Sequence, residues 1–279
     1  VNIATVCKKN GVLSQLCDWF DVYAQSFMQG CSGCAPLTDT PCAQLINAVK
    51  LKYDHTIRVC EEMALLCDSV NLCERLRSGA VTAALFHDVG RFEQFRLYGT
   101  FSDKRSFDHA AMAIEIIDRH NLFSSFVDRD AVAVKEAIRY HNAISIPAEL
   151  SEDGALLCRL VRDADKLDIY RIALEYYAQP KESRQKTFGA GLDEGHSVTP
   201  GVCERVLERK IVPYEMVKTM YDFKMIQAGW VFDLNFTHSL RCVRERGYIS
   251  AIRKMLDPTP EVTAILDSIE RYIEERLRT

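Results

Sequence analysis

The chain has 279 residues, of which 48% are hydrophobic, 27% are charged and 13 are glycine, with a formal net charge of -4. That length carries a substantial core, and the composition excludes a disordered or collagen-like chain. The negative balance argues against a generic nucleic-acid binder, though it leaves a small anionic substrate open, because bound cations reverse the local sign.

In chain order, residues 3–29 carry apolar positions at helical spacing (Leu13, Leu16, Trp19, Phe20, Tyr23, Phe27), which predicts one or two amphipathic helices. Residues 30–41 read as a loop. Within it, Cys31-x-x-Cys34, with Cys42 nearby, resembles part of a zinc or iron–sulfur site that lacks an evident fourth ligand. A long helix is expected over 42–68, with His55 inside the apolar stripe of Leu51, Val59, Met63 and Leu66. Residues 79–88 give the next helix, in which Ala80, Ala83 and Ala84 precede His87 and Asp88. Residues 89–105 read as a basic loop containing Arg91, Arg96, Lys104 and Arg105. Ser106 is the expected N-cap of a helix through Arg119, whose apolar face starts at His109 and continues through Met112, Ala113 and Ile116.

A helix over 130–141 repeats the device in reverse: Val134, Ala137 and Ile138 lead to His141, and Asn142 and Pro147 stop it. Over 154–178, Cys158, Val161, Ile169 and Ile172 form a stripe with Asp165 at its middle. Asp163, two residues away, faces elsewhere. Residues 180–201 read as a polar, glycine-rich, mobile connection. Three further helices follow, opened by Pro200, Pro213 and Pro260. No sustained period-two alternation is present, so the expected fold class is all-α.

The eleven cysteines are scattered, odd in number and preceded by no secretory signal, which predicts reduced thiols and a cytoplasmic protein. No apolar run approaches the roughly 18 residues a membrane crossing needs.

His55, His87, His109, His141 and Asp165 each interrupt a helix's apolar face, and Asp88 adjoins one of them. Buried polar groups need partners, and a shared cation serves all of these at once. Nitrogen and carboxylate ligands without thiolate suit manganese, iron, nickel, zinc or magnesium. Six protein ligands exceed what one catalytic metal with open positions uses, so two divalent ions bridged by Asp88 fit better.

The order His55 … His87-Asp88 … His109 … His141 … Asp165 resembles the HD-domain superfamily of metal-dependent phosphohydrolases. Leu85-Phe86-His87-Asp88-Val89-Gly90-Arg91 is similar to its central motif, and Asp163-Ala164-Asp165-Lys166-Leu167-Asp168 to its closing one. The resemblance covers about residues 50–178, with 1–49 as an N-terminal helical extension and 179–279 as a loop and helices packing on the core. It implies a helical bundle with His55, His87, Asp88 and Asp165 on one metal and Asp88, His109 and His141 on the second. It also implies that a hydroxide held between the ions attacks phosphorus. Asp88, Arg91 and Lys166 are the catalytic candidates, the two bases binding non-bridging phosphate oxygens.

Arg96, Lys104 and Arg105 read as solvated bases, Asp54 and Asp108 as surface charge, His120 as a helix-dipole partner, and Asp168 as an orienting carboxylate behind the ligands. Arg139 should point away from the site, and His196 and His238 have no supporting cluster. The implied partner is a small phosphorylated substrate, a nucleotide among the candidates. No cofactor beyond the metals, no nucleic-acid duplex and no membrane is implied, and the oligomeric state stays open. Cyclic-dinucleotide esterases of the HD-GYP type share the ligand order. This chain has His141-Asn142 where they carry a doubled histidine, and it lacks the Gly-Tyr-Pro triplet, which speaks against that substrate. Two other readings remain: a di-iron oxygenase of the same superfamily, and a non-catalytic, nucleotide-sensing module that has kept the fold.

Overall fold

The computed structural model describes residues 11–29, 42–180 and 192–278. Its α-helices are α1 (Gly11–Gln29), α2 (Cys42–Ser69), α3 (Glu74–Phe86), α4 (Gly90–Tyr98), α5 (His109–Arg119), α6 (Asp128–Tyr140), α7 (Glu152–Ala178), α8 (Pro200–Leu207), α9 (Met220–Gly229), α10 (Thr237–Glu245), α11 (Tyr248–Arg253) and α12 (Pro260–Arg278). Short 3-10 turns cover Asp103–Arg105, Tyr214–Met216 and Trp230–Asp233. The described residues contain no strand, only an isolated bridge between Asp193 and Thr219. The all-α expectation holds.

The chain divides into two compact units, Val1–Asp165 and Lys166–Thr279, and α7 runs through the division. In the first unit α2 lies along α3, α3 packs on α6, and α1 covers α2 and α3. Phe20, Val59, Met63, Phe86, Ile116, Ile138 and Leu157 are almost fully withdrawn from water, each contributing about 1.5–3 kcal/mol by burial. The Phe20 ring meets those of Tyr53, Phe86 and Phe92. The second unit builds its own core from Tyr170, Met225, Val231, Leu240, Val243, Ile252, Leu266 and Ile269. There Tyr170 stacks on Tyr248 and donates its hydroxyl hydrogen to the Gln227 carbonyl.

Several expectations are corrected. Residues 90–98 form α4 rather than a loop. The helix starts at a glycine, and its buried face includes the polar Gln94, so its pattern reads as irregular. The cap of α5 is Asp108, whose carboxylate accepts from the Ala110 and Ala111 amides at 2.9 and 3.2 Å, and not Ser106. Pro213 precedes only a 3-10 turn. The next helix waits for Thr219, whose side chain and that of Asp222 cap α9 reciprocally. Five α-helices, rather than three, follow Thr199 among the described residues.

The expected loop at 30–41, with Cys31 and Cys34, lies outside the described residues, as do 181–191 of the glycine-rich connection. Cys42 is a free thiol at the start of α2, as are six further described cysteines. Cys17 is disulfide-bonded, which departs from the expectation of reduced thiols throughout. No helix among the described residues is long and apolar enough to cross a membrane.

Candidate metal centre

Five elements of the first unit deliver six side chains to one place. His55 comes from the middle of α2, His87 and Asp88 from the turn joining α3 to α4, His109 from the first position of α5, His141 from just past α6, and Asp165 from α7. The four histidines are at most 5% exposed, Asp88 is 4% exposed, and the Asp165 side chain is 18% exposed. Gly90 is required here. A Cβ at that position would stand 2.2 Å from the His109 carbonyl oxygen, so only glycine lets α4 start against the first turn of α5.

The imidazoles are oriented from behind. His87 Nδ1 donates to the Ala84 carbonyl at 2.7 Å, His141 Nδ1 to the Ile138 carbonyl at 2.8 Å, and His109 Nδ1 to Asp103 Oδ2 at 2.7 Å. Each partner is an acceptor, so the proton of each neutral ring sits on Nδ1 and the Nε2 lone pair points inward. His109 Nε2 and His141 Nε2 are then 3.2 Å apart, and His55 Nε2 and His87 Nε2 are 3.3 Å apart. Burial pushes the pKa of His87 down and that of His109 and His141 down to about 4, outweighing the nearby carboxylates that raise them. These rings are therefore neutral at pH 7. The inward lone pairs of His109 and His141, 3.2 Å apart, repel unless a cation lies between them, and the cluster as a whole fits metal binding.

The carboxylates complete it. Asp88 Oδ2 lies 3.6 Å from both His55 Nε2 and His87 Nε2, whereas Oδ1 lies 3.3 Å from His109 Nε2 and 4.0 Å from His141 Nε2. Asp165 Oδ1 is 3.1 Å from His55 Nε2 and 3.8 Å from His87 Nε2. Burial alone would raise the carboxyl of Asp88, but the charges of Lys52 and Arg91, joined by His87 and His109 once these protonate in acid, hold it well below the usual range. Asp165 is lowered as well, the hydrogen bond from His55, and the charge of His87 once that ring protonates in acid, overcoming its burial. Three overlapping groups, each with donor atoms within 4.8 Å of one another, could hold a cation (His55, His87 and Asp88; His87, His141 and Asp165; Asp88, His109 and His141), and a fourth, less buried one is formed by Asp103, Asp108 and His109.

The other candidates are placed as follows. Arg91 Nε reaches Asp88 Oδ1 at 3.2 Å, and its Nη1 donates to Gln94 Oε1, the Phe101 carbonyl and Asp103 Oδ1 at 2.6–2.8 Å. Lys166, the first residue of the second unit, pairs with Asp233 Oδ2 at 2.8 Å. Asp168 accepts from Arg171 Nε at 3.1 Å, and Asp163 is fully buried. Arg139 pairs with Asp108 at 2.6 Å, so Asp108 serves as cap and ion-pair partner rather than simple surface charge. His120 closes α5 against the Trp19 and Tyr23 rings.

Sequence reasoning missed Lys52, Asp103 and Gln94. Lys52 Nζ stands 2.6 Å from Asp88 Oδ2, and its side chain is 18% exposed. It lies one helical turn before His55 on the same face, a spacing legible in the sequence. Asp103 is tied to His109 only by tertiary structure, and the fully buried Gln94 gave no signal at all. The HD domain family model matches residues 53–170. No curated protein and no solved structure matches the chain.

Proposed function

With residues 53–170 an HD domain, the fold of a superfamily of metal-dependent phosphohydrolases, we propose that this chain hydrolyses a phosphate mono- or diester with two divalent ions that share Asp88. One observation carries the reading: the two oxygens of Asp88 face different pairs of imidazoles, Oδ2 towards His55 and His87 and Oδ1 towards His109 and His141. Asp165 joins the first set. Bound there, divalent cations supply Lewis acidity that eases the ionisation of water and offsets charge on phosphoryl oxygens.

The chain's own residues do the rest. Neutral, buried imidazoles offer lone pairs without competing for protons, and the two ionised carboxylates balance cationic charge. Lys52, part-exposed at Asp88, is the base placed to meet a non-bridging phosphate oxygen. Arg91 is a strut between Asp88 and Asp103 as well as a source of positive charge.

The test is a panel of phosphate esters, nucleotides included, assayed with manganese or ferrous iron on the wild-type protein and on His141→Ala. The expected result is hydrolysis of at least one ester by the wild type, dependent on added metal and lost in the variant. Hydrolysis of none, or oxygen uptake by the iron-loaded protein in its place, overturns the reading. Equal activity of both proteins removes the need for a second ion.

A further inference from the structure

The histidines around Asp88 are not held in the same way. His87 and His141 donate Nδ1–H to carbonyls three residues back, Ala84 and Ile138, so the helices that carry them set their orientation. His109 is the first residue of α5 and has no preceding turn of its own helix to lean on. Its Nδ1–H goes instead to Asp103, a part-exposed carboxylate on the 3-10 turn Asp103–Arg105.

That carboxylate is itself aimed. Asp103 Oδ1 accepts from Arg91 Nη1 and Gln94 Nε2, both at 2.8 Å, which turns Oδ2 to His109 at 2.7 Å, with Asn142 Nδ2 a more distant donor to the same oxygen at 3.4 Å. The two hydrogens of Gln94 Nε2 are shared between Asp103 and two further acceptors, Ser106 Oγ at 2.8 Å and the Phe107 carbonyl at 3.0 Å, and Ser106 donates to the Ser102 carbonyl at 2.8 Å. A fully buried amide therefore exists largely to hold this turn in register.

We propose that Asp103 is a positioning residue for the His109 side of the centre, setting how tightly that side holds a divalent cation while the His55–His87 side is independent of it. The proposal rests on the two-ion reading above. A carboxylate behind a ligand imidazole fixes the ring's orientation and tautomer and strengthens its Nε2 as a donor, and loss of such a partner costs about 10- to 100-fold in metal affinity.

The experiment titrates Mn2+ into metal-stripped full-length protein by calorimetry, and follows by electron paramagnetic resonance whether the bound ions are magnetically coupled. Three proteins are compared: wild type, Asp103→Asn and Ser106→Ala. The wild type is expected to take two equivalents and give a coupled signal. In Asp103→Asn the first equivalent binds as before, while the second weakens about 10- to 100-fold and the coupled signal fades at matched metal. Ser106→Ala loosens the same turn but keeps the carboxylate, and is expected to titrate like the wild type. Two unweakened equivalents in Asp103→Asn overturn the proposal. So does an equal loss in Ser106→Ala, which would assign the effect to order in the turn. A wild type that takes only one equivalent overturns the two-ion reading itself, and this proposal with it.

Discussion

Asp88 in the first unit and Asp222 in the second are both carboxylates withdrawn from water, and their surroundings are opposite. Asp222 accepts from the Thr199 amide and hydroxyl and from the Lys218 and Thr219 amides, at 2.6–3.1 Å. Its neighbours supply protons, so its charge is absorbed into the cap of α9 and nothing further is asked of it. Asp88 faces imidazole nitrogens whose protons point the other way, and only Lys52 and Arg91 bring charge to it. Both carboxylates accept hydrogens, Asp88 from Lys52 and Arg91; what marks Asp88 as part of a binding site is that imidazole lone pairs face it as well.

The most severe way to break this contrast is Asp88→Asn. The amide keeps the shape and loses the charge that both imidazole sets face. The expected outcome is protein purified without stoichiometric metal, and hydrolysis down by about 10²- to 10³-fold, the scale on which a preorganised charge acts. Elemental analysis decides it: undiminished metal in the variant would move Asp88 into the same class as Asp222.

The contrast also has a pH signature in metal-free protein. Burial holds His109 and His141 at about 4, against 6.5 in an exposed chain, and His87 is lowered in the same direction. Between those values the unfolded chain binds protons that the folded one refuses. Stability is therefore full above about pH 6.5 and falls as pH drops towards 4, by up to about 1.4 kcal/mol per pH unit for each histidine. The lowered pKa values of Asp88 and Asp165 add acid lability in the same sense below about 4. Thermal melts of chelated protein at pH 7 and pH 5 should show a markedly lower midpoint at pH 5. A flat profile would mean that these rings are charged in the folded state, contrary to the lone-pair arrangement.

Asp222→Ala probes the other side. It strips an acceptor from three backbone amides at two helix starts, Thr199 before α8 and Lys218 and Thr219 before α9, for an expected loss of about 2 kcal/mol in urea unfolding. Metal content and metal-dependent activity should be unchanged. Loss of metal in step with stability would erase the distinction between the two carboxylates.

What the sequence made legible follows the same physics. A histidine or carboxylate inside an apolar stripe contradicts its surroundings, and five such contradictions, four histidines and Asp165, were visible one by one; the structure brings all five, with Asp88, together. Helix α4 was not legible, because Gln94 is satisfied by Arg91, Asp103 and Ser106, partners that only the fold supplies, and the polar residue disguises a buried face. Asp103 lies six residues from His109 across a turn, where no periodicity connects them. Lys52 was within reach, one turn before His55. Lys166 shows the limit of adjacency: it follows Asp165 directly, yet its ammonium pairs with Asp233.

The smallest effect expected tests adjacency most cleanly. Asp54 adjoins His55 as Asp88 adjoins His87, so the two dipeptides look equivalent on paper. Asp54 lies within the continuous helix α2, where each residue turns about 100° from the last, and its carboxylate goes outward to Lys50 at 2.7 Å. Asp88 lies in the turn after α3, where backbone hydrogen bonds span three residues instead of four, and its carboxylate comes within 3.6 Å of His87 Nε2. The Lys50–Asp54 pair is 64% and 40% exposed, so Asp54→Asn is expected to cost about 0.3–0.5 kcal/mol, fading in high salt. Metal stoichiometry and activity should match the wild type. If removing this outward carboxylate depleted the centre as Asp88→Asn is expected to, position in the chain rather than direction in space would be governing ligand choice, and the contrast between the buried carboxylates would lose its basis.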